Sequence, residues 1–540
     1  MKKTLGSYLI ETLETQGVRH LFGIPGVHNL ELYRGLAASS IRRVTGRHEQ
    51  GLGFMADGYA RITRQPGVCF TITGPGLTNI ATAMAQAYGD SIPLIVISSE
   101  NRRAEIGTGC GFLHELPDQL GLAAKVSVSA ERVAVPEALP DALARAFAAA
   151  TGQRPRPAYI EIPRDVLPAD ASGLSQPGAG RPAPRQAAAP EGIAEAARRL
   201  ARARAPVILA GGGALDAAAE IQRLAENLGA PVVMTVNARG LLPPQHPLAV
   251  SLSPSLAPVR ALIGAADAVL AVGTELGPTD YDMYSAGDFP RLPQLIRIDV
   301  EAQQLERSAH PSLALHGHAR ETLRGILAAG IGAAGVGPAR AERGASAAHH
   351  ARTEAFEGLT APMRRQIAFL ESIRDTVPGA ILVGDSTQPV YAGNLGFSAA
   401  TPGSWFNSAT GYGTLGYALP ASTGAGLGAP ERPVVCLVGD GGFQFSLGEL
   451  AVPRDIGAWS VIIIWNNRGY GEIKTSMLAV DIEPEGVDVK PPEFAHLARA
   501  YGYGYGHRLI DGLESLERAL REFASRRQVL ILEVRAEAFE

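Results

Sequence analysis

Short apolar runs recur along the whole chain, most of them bounded by Gly or Pro and separated by stretches with helical periodicity. Near the start, Leu5, Tyr8, Leu9 and Leu13 repeat at three- and four-residue intervals and predict an amphipathic helix. The runs His20 to Ile24, Val68 to Thr73 and Leu94 to Ser98 read as strands. So do Pro206 to Ala210, Ala268 to Val272, Ile381 to Val383, Val434 to Val438, Val461 to Trp465 and Val529 to Val534. Strands this uniformly apolar are buried on both faces, so the alternation predicts an α/β chain of parallel sheets covered by helices. Ala171 to Pro190, rich in Pro, Gly, Ala and Ser, reads as a linker, and a second small-residue stretch near Gly330 to Ala348 ends the middle block. Domains are expected at 1–170, 190–330 and 360–540, each a doubly wound parallel sheet. The first and third share size and rhythm, without a residue-level repeat.

Composition changes this picture little. At roughly 150 residues per domain, 540 residues suggest three or four domains, and 46% hydrophobic residues can fill their cores. A net charge of −4 with both signs interspersed provides no field to recruit nucleic acid or an anionic membrane, which leaves small molecules and copies of the chain itself as partners. Three scattered cysteines, Cys69, Cys110 and Cys436, make neither a disulfide framework nor a zinc site and suit a reducing cytoplasm. Glu11 and Glu14 interrupt the segment after Met1-Lys2-Lys3, unlike a secretory leader, and no apolar run reaches the roughly 18 residues of a membrane span. A chain neither exported nor embedded is expected.

The strongest chemical signal is Val434-Val435-Cys436-Leu437-Val438-Gly439-Asp440-Gly441-Gly442, paired with Ile462-Ile463-Ile464-Trp465-Asn466-Asn467. Each is an apolar strand ending in hard oxygen donors, and the 27 positions from Asp440 to Asn467 allow one helical crossover to a neighbouring strand end, where open α/β sheets place ligands. Mg²⁺ takes oxygen donors and commonly shares its shell with phosphates. Asp440 and Asn467 can supply two ligands and the Gly469 carbonyl a third. Gly441 and Gly442 let backbone N–H groups approach a diphosphate, with a helix expected to begin near Ser446 and point its positive end there. Taken singly, these segments are ordinary turns; the pair resembles the diphosphate-Mg²⁺ motif of thiamine-diphosphate enzymes.

The resemblance extends over nearly the whole chain. Phe22-Gly23-Ile24-Pro25-Gly26, Arg47-His48-Glu49-Gln50, Ala56-Asp57-Gly58-Tyr59-Ala60-Arg61, Gly74-Pro75-Gly76-Leu77-Thr78-Asn79 and Asp90-Ser91-Ile92-Pro93-Leu94 resemble the pyrimidine-binding domain of the acetolactate synthase and 2-oxo acid decarboxylase superfamily. Gly26-Val27-His28, His114-Glu115-Leu116-Pro117 and Gly469-Tyr470-Gly471-Glu472-Ile473 are most similar to 5-guanidino-2-oxopentanoate decarboxylases. The resemblance implies pyrimidine-binding, central and diphosphate-binding domains, with thiamine diphosphate and Mg²⁺ as cofactors. It implies that the Glu49 carboxyl binds a pyrimidine nitrogen, a task suited to a partly desolvated group. The Gly413 carbonyl would accept from the aminopyrimidine, Leu415 would wedge between the two rings, and Gln388 would complete the diphosphate site. Gly211-Gly212-Gly213 lacks the rest of a dinucleotide fingerprint, and since the middle domain holds FAD in related acetolactate synthases but is empty or holds another nucleotide in related decarboxylases, the resemblance implies no FAD.

Departures from the family pattern bear on the reaction. No Trp follows the Asn pair closely, as it does in acetolactate synthases, and this favours a decarboxylase over a carboligase. Val27 stands where pyruvate decarboxylases carry Asp, and the adjacent His-His pair is missing, so His114 and His28 become the candidates for proton delivery. His246 reads as structural. Glu100, Glu115, Asp118 and Glu472 fall in segments that line the cavity in relatives, and carboxylates there suit a guanidinium, unless they pair with nearby Arg or Lys or face water. Glu472 is also a catalytic candidate. The resemblance further implies active sites at the interface of a homodimer or homotetramer. A non-catalytic homologue of the same fold is the reading of another class.

Overall fold

The computed structural model describes residues 3–152, 154–175, 178, 184–281, 291–331, 337–503 and 506–539. Part of the expected linker therefore lies outside the described residues. Eighteen strands among them form three six-stranded sheets, every pairing parallel. All nine strands expected from the apolar runs form, with ends displaced by at most two residues.

The first sheet holds β1 (His20–Gly23), β2 (Arg42–Val44), β3 (Gly67–Thr71), β4 (Leu94–Glu100), β5 (Ser129–Arg132) and β6 (Ala158–Pro163), in the order β2-β1-β3-β4-β6-β5. The central sheet holds β7 (Pro206–Ala210), β8 (Val232–Met234), β9 (Ala249–Val250), β10 (Ala268–Val272), β11 (Ile296–Asp299) and β12 (Leu313–His316), ordered β12-β11-β10-β7-β8-β9. The third holds β13 (Ile381–Gly384), β14 (Trp405–Asn407), β15 (Val434–Gly439), β16 (Ser460–Asn466), β17 (His507–Ile510) and β18 (Leu530–Arg535), ordered β14-β13-β15-β16-β18-β17. Counted from its own first strand, the third sheet repeats the 2-1-3-4-6-5 order of the first. The shared rhythm of the two blocks is thus a shared topology, kept without repeated residues.

The first and third domains have one continuous core. Phe54, Met55 and Tyr59 of the Glu49–Thr63 helix pack with Tyr417, Leu419 and Ala421 of the third domain. That helix and Ala418–Gly428 cross so closely that a Cβ on Gly58 would collide with the Ala421 carbonyl oxygen and one on Gly424 with that of Met55. Four polar residues close the joint. Arg61 donates to Asp57 Oδ1 (2.7 Å) and Asp90 Oδ2 (2.6 Å), and the Tyr417 hydroxyl donates to Asp57. The central domain reaches the same point, where Asn237 donates to Asp90 Oδ1 (3.2 Å).

The small-residue stretch near Gly330 to Ala348 is helical from Pro338 onward. Pro338–Glu357 is a 20-residue helix whose Ala348 and Ala355 enter the core around Val259 and Ile263 of the central domain. Alanine is a strong helix former, and a narrow Ala face packs closely. No helix among the described residues is long and apolar enough to cross a membrane. All three cysteines are free.

Candidate active site

The parallel sheets bring their strand ends together at the topological switch points. In the third domain β13 and β15 are neighbours, so Asp385 and Asp440 emerge side by side, and the register Gly439↔Trp465 delivers Asn467 from β16 next to them. A six-residue helix begins at Asp440 itself rather than near Ser446, and the crossover to β16 is broken into Asp440–Phe445, a 3₁₀ turn over Leu447–Ala451, and Val452–Asp455. The first of these starts directly at the end of β15, with Gly441 pressed against the Tyr470 ring, where a Cβ would come within 2.7 Å.

Asp440, Asn467 and the Gly469 carbonyl converge there: the side-chain amide of Asn467 lies 3.0 Å from Asp440 Oδ1 and 2.7 Å from the Gly469 carbonyl oxygen. With its oxygen turned inward, the amide would join them as the kind of oxygen donor set that Mg²⁺ takes. Burial pushes the Asp440 carboxyl up to about 6, although backbone N–H groups of Asn467, Gly441 and Gly469 work against this, and its Oδ2 has no hydrogen-bond partner among the described residues. One hard anion, one amide oxygen and one carbonyl suit a hard divalent ion. Gln388 Oε1 accepts from Trp465 Nε1 (3.0 Å) and Asn467 Nδ2 (3.1 Å), which holds the Asn467 amide in place. Asp385, fully buried and pushed up to about 6 by that burial, accepts from the backbone of Ser386 (2.8 Å) and Ala418 (3.4 Å). It ties the Gly411–Gly416 turn to the same corner.

Gly413 has φ +76° and a Cβ there would meet nothing within 4 Å; Leu415 beside it is half-buried. Glu49, half-buried, opens the Glu49–Thr63 helix, and its Oε2 accepts from Asn79 Nδ2 (2.9 Å). Just before it, the buried Glu449 of the third domain accepts the backbone N–H groups of Arg47 (2.9 Å) and His48 (2.8 Å) through one oxygen. Within one chain, no hydrogen bond or ion pair among the described residues links Glu49 to Asp440 or Asn467.

His28 and His114, 86 positions apart, meet with ring centroids 4.9 Å apart, and the Nδ1 atoms of both are buried without partners among the described residues. His114 takes φ +65°, and a Cβ on Gly74 would strike its carbonyl oxygen. Arg164 Nη1 stands 3.4 Å from His28 Nε2. Since a guanidinium only donates, it favours the lone pair there and hence the Nδ1–H tautomer. Burial, with the Arg164 charge added, holds His28 below the ordinary histidine range.

The four carboxylates offered for a cationic substrate have different surroundings. Glu115 accepts backbone N–H groups of Gly109 (2.7 Å), Gly111 (2.9 Å) and Phe112 (3.0 Å), and Asp118 caps the Gln119–Lys125 helix through Gly121 N (2.8 Å). Both shape their own loop, because a carboxylate beside unpaired backbone N–H groups satisfies them locally. Glu100 is buried at the end of β4, accepts from Asn101 N (2.7 Å), and is pushed up to about 7 by burial. Glu472 is exposed in the first turn of Gly471–Ala479 and has no ion-pair partner among the described residues. His246 joins Glu226 (3.2 Å) and caps Leu248 N, a local role. Sequence reasoning assigned no role to Asp57, Arg61, Gln86, Asp90, Asp385 or Glu449; Asp57, Arg61 and Asp90 stood in motifs shared with the family, and the i, i+4 spacing of Asp57 and Arg61 also carried a signal.

The central sheet, read from its other edge, has the order 3-2-1-4-5-6 typical of dinucleotide-binding domains. Its glycine turn after β7 is nevertheless occupied by the fold: Gly211 N donates to Val272 O and Gly213 N to Gly273 O, each at 3.0 Å.

Comparison with known proteins identifies the family. Models of the thiamine pyrophosphate enzyme N-terminal TPP binding domain, central domain and C-terminal TPP binding domain match residues 3–122, 193–326 and 385–534. The probable 2-ketoarginine decarboxylase AruI of Pseudomonas aeruginosa is 44% identical over 98% of this chain and 94% of its own length. Acetolactate synthase isozyme 1 large subunit of Escherichia coli is 28% identical, covering 99% and 94%, and the acetolactate synthase of Arthrospira platensis 31%, covering 93% and 89%. With three matching domains in order and a relative this similar over nearly its full length, the chain belongs to the thiamine pyrophosphate enzymes.

Proposed function

We propose that this chain decarboxylates a 2-oxo acid, 5-guanidino-2-oxopentanoate (2-ketoarginine) foremost, using thiamine diphosphate held with Mg²⁺. The convergence of Asp440, Asn467 and the Gly469 carbonyl carries the cofactor part of this reading, because it makes an oxygen shell at a parallel-strand switch point. The substrate part rests on 44% identity to a protein named as a 2-ketoarginine decarboxylase, against 28% and 31% to two acetolactate synthases.

When bound, the cofactor supplies a carbon nucleophile and an electron sink for the pair left by departing CO₂. The residues do the remaining work. Asp440, Asn467 and Gly469 O would hold the ion, and Gln388 fixes Asn467. Glu49 would hold a proton at a carboxyl oxygen for the aminopyrimidine, with Asn79 leaving its second oxygen available. His28, held below the ordinary histidine range by burial and Arg164, and His114 beside it would hold and exchange protons at the ring nitrogens facing the substrate. Glu472, unpaired and directly after the metal corner, is the carboxylate best placed to meet a guanidinium.

The site would be completed by a second copy. Glu49 and Asp440 belong to separate clusters within one chain, and Val27, Leu113, Tyr412, Phe445 and Ile473 on the surrounding segments are all more than half exposed. So much apolar surface beside a polar site suits burial by a partner of the same kind. We also assign the central domain no flavin, since the N–H groups of Gly211 and Gly213 are taken.

A panel of 5-guanidino-2-oxopentanoate, pyruvate and benzoylformate, assayed for CO₂ with and without thiamine diphosphate and Mg²⁺, tests the proposal. Cofactor-dependent release fastest with the guanidino acid is expected. Preference for either neutral acid overturns the substrate assignment, acetolactate formed from pyruvate makes the chain a carboligase, and no release from any acid removes the enzyme reading.

A further inference from the structure

The segment from Thr410 to Gly416 has little to stiffen it. It contains three glycines with positive φ, Gly411, Gly413 and Gly416, and no helix or strand crosses it. Tyr412 and Gly413 are exposed. Asp385 holds its far end, accepting backbone N–H groups of Gly416 and Ala418, while Thr410 and Thr414 are both held by one side chain from another domain. Gln86, fully buried near the end of the Pro75–Gly89 helix of the first domain, donates through Nε2 to the Thr410 carbonyl (3.0 Å) and to Asp90 Oδ2 (3.2 Å). Its Oε1 accepts from the Thr414 hydroxyl (3.2 Å) and, at 3.4 Å, from the Thr414 backbone N–H.

An amide has two N–H donors and two oxygen lone pairs, and Gln86 uses all four. Its orientation is therefore determined: reversing it would set NH₂ against the Thr414 N–H and the oxygen against the Thr410 carbonyl and the Asp90 carboxylate. Asp90 adds a second tie, accepting from the Thr410 hydroxyl (3.0 Å). Gly89 and Gly411 let the two backbones approach, since a Cβ on Gly89 would lie 3.2 Å from the Gly411 Cα.

We infer that Gln86 is a positioning residue for the cofactor, setting the span from Thr410 to Thr414 and so the placement of the Gly413 carbonyl and the Leu415 side chain. This rests on the reading that Gly413 and Leu415 meet the cofactor. Each first domain then has two tasks: it offers Glu49, and it braces the cofactor turn of its own chain's third domain. Pre-organising a glycine-rich turn before binding removes an ordering cost that would otherwise weaken affinity.

The test uses full-length Gln86→Leu and Gln86→Met, with Thr414→Val as a variant that leaves Gln86 intact. Backbone hydrogen exchange across 408–417 is measured without cofactor, and thiamine diphosphate affinity by calorimetry with Mg²⁺, together with the circular dichroism of the bound aminopyrimidine. In the Gln86 variants, exchange about tenfold faster and confined to 408–417 is expected, with affinity about tenfold weaker and an altered dichroism band. Thr414→Val, which loses one of the four bonds, should show a smaller change in the same direction. Wild-type exchange and wild-type affinity in any folded Gln86 variant overturn the inference, as does loosening spread evenly over the chain. If neither Gln86 variant folds, unchanged exchange at 408–417 in Thr414→Val overturns it. If wild-type protein binds no thiamine diphosphate, the proposed function fails, while the exchange measurement still decides whether Gln86 braces the turn.

Discussion

Arg61 is the cation on which the joint between the first and third domains depends. Its side chain is 7% exposed and lies between two carboxylates that are 0% and 4% exposed. Arg61→Met keeps much of the aliphatic stem and removes the charge. Asp90 retains donors in Gln86, Thr410 and Asn237, but Asp57 keeps only Tyr417, and its Oδ2 already has no partner among the described residues. Removing one partner of a buried ion pair costs about 3–5 kcal/mol, and because Asp90 stays solvated by protein, the lower end, about 3 kcal/mol, is expected. Burial already raises the Asp57 pKa, with Arg61 opposing it. Without Arg61 it climbs further, so the variant's deficit is greatest well above that raised value and shrinks as falling pH protonates Asp57. All three tryptophans, Trp405, Trp459 and Trp465, lie in the third domain, so their fluorescence during urea unfolding reports that side of the joint. A midpoint lowered by about 1–2 M at pH 7.5, less at pH 5.5, and largely restored by Asp57→Asn in the same chain is expected. A loss under about 0.5 M, or one that does not shrink at pH 5.5, refutes the reasoning.

Three further outcomes follow from the same geometry. Asp440→Asn should weaken Mg²⁺-dependent thiamine diphosphate binding by about 100-fold or more in calorimetry, because the only anion among the three converging oxygens is lost. Glu100, raised from 4.5 to about 7 by burial, lends stability that is present below pH 4.5 and lost as pH rises through 7. Glu100→Gln should therefore exceed wild type by about 3 kcal/mol in denaturant unfolding at pH 8.5 and match it near pH 4.5; a gain independent of pH would contradict this. Gly424→Ala, driven into the Met55 carbonyl, should lose about 1–3 kcal/mol in the same assay, whereas Gly426→Ala, whose Cβ meets only Val434 at 3.8 Å, should lose nothing.

Much of the fold was legible because a strand buried on both faces must be apolar throughout, and nine such runs announced themselves. The strands that escaped are short or carry charge: inside the sheets, Ala158–Pro163 and Ile296–Asp299 hold the buried Glu161 and Arg297, and at the edges Arg42–Val44 has two arginines facing solvent and Ser129–Arg132 has no fully buried residue. Edge strands need only one partner and one covered face, so their sequences carry little of the apolar signal. The meeting of Asp440 with Asn467 was legible for a related reason. Asp440 and Asn467 each close an apolar run, and parallel pairing of adjacent strands brings such ends together whatever lies between them. Glu115 and Asp118 show the limit, since a carboxylate that caps its own loop is indistinguishable in sequence from one that awaits a ligand.

What the chain determined by itself is local and periodic: where strands run, where they stop, and which oxygen donors stand at their ends. Only the tertiary structure decided how the domains meet. Glu449 reaches the backbone before Glu49 across some 400 positions, and Gln86 grips Thr414 across 328. No pattern of neighbours encodes such pairings, because they arise when two separately folded sheets bury a common core, and the polar groups trapped there must then find donors and acceptors in whatever the other surface presents.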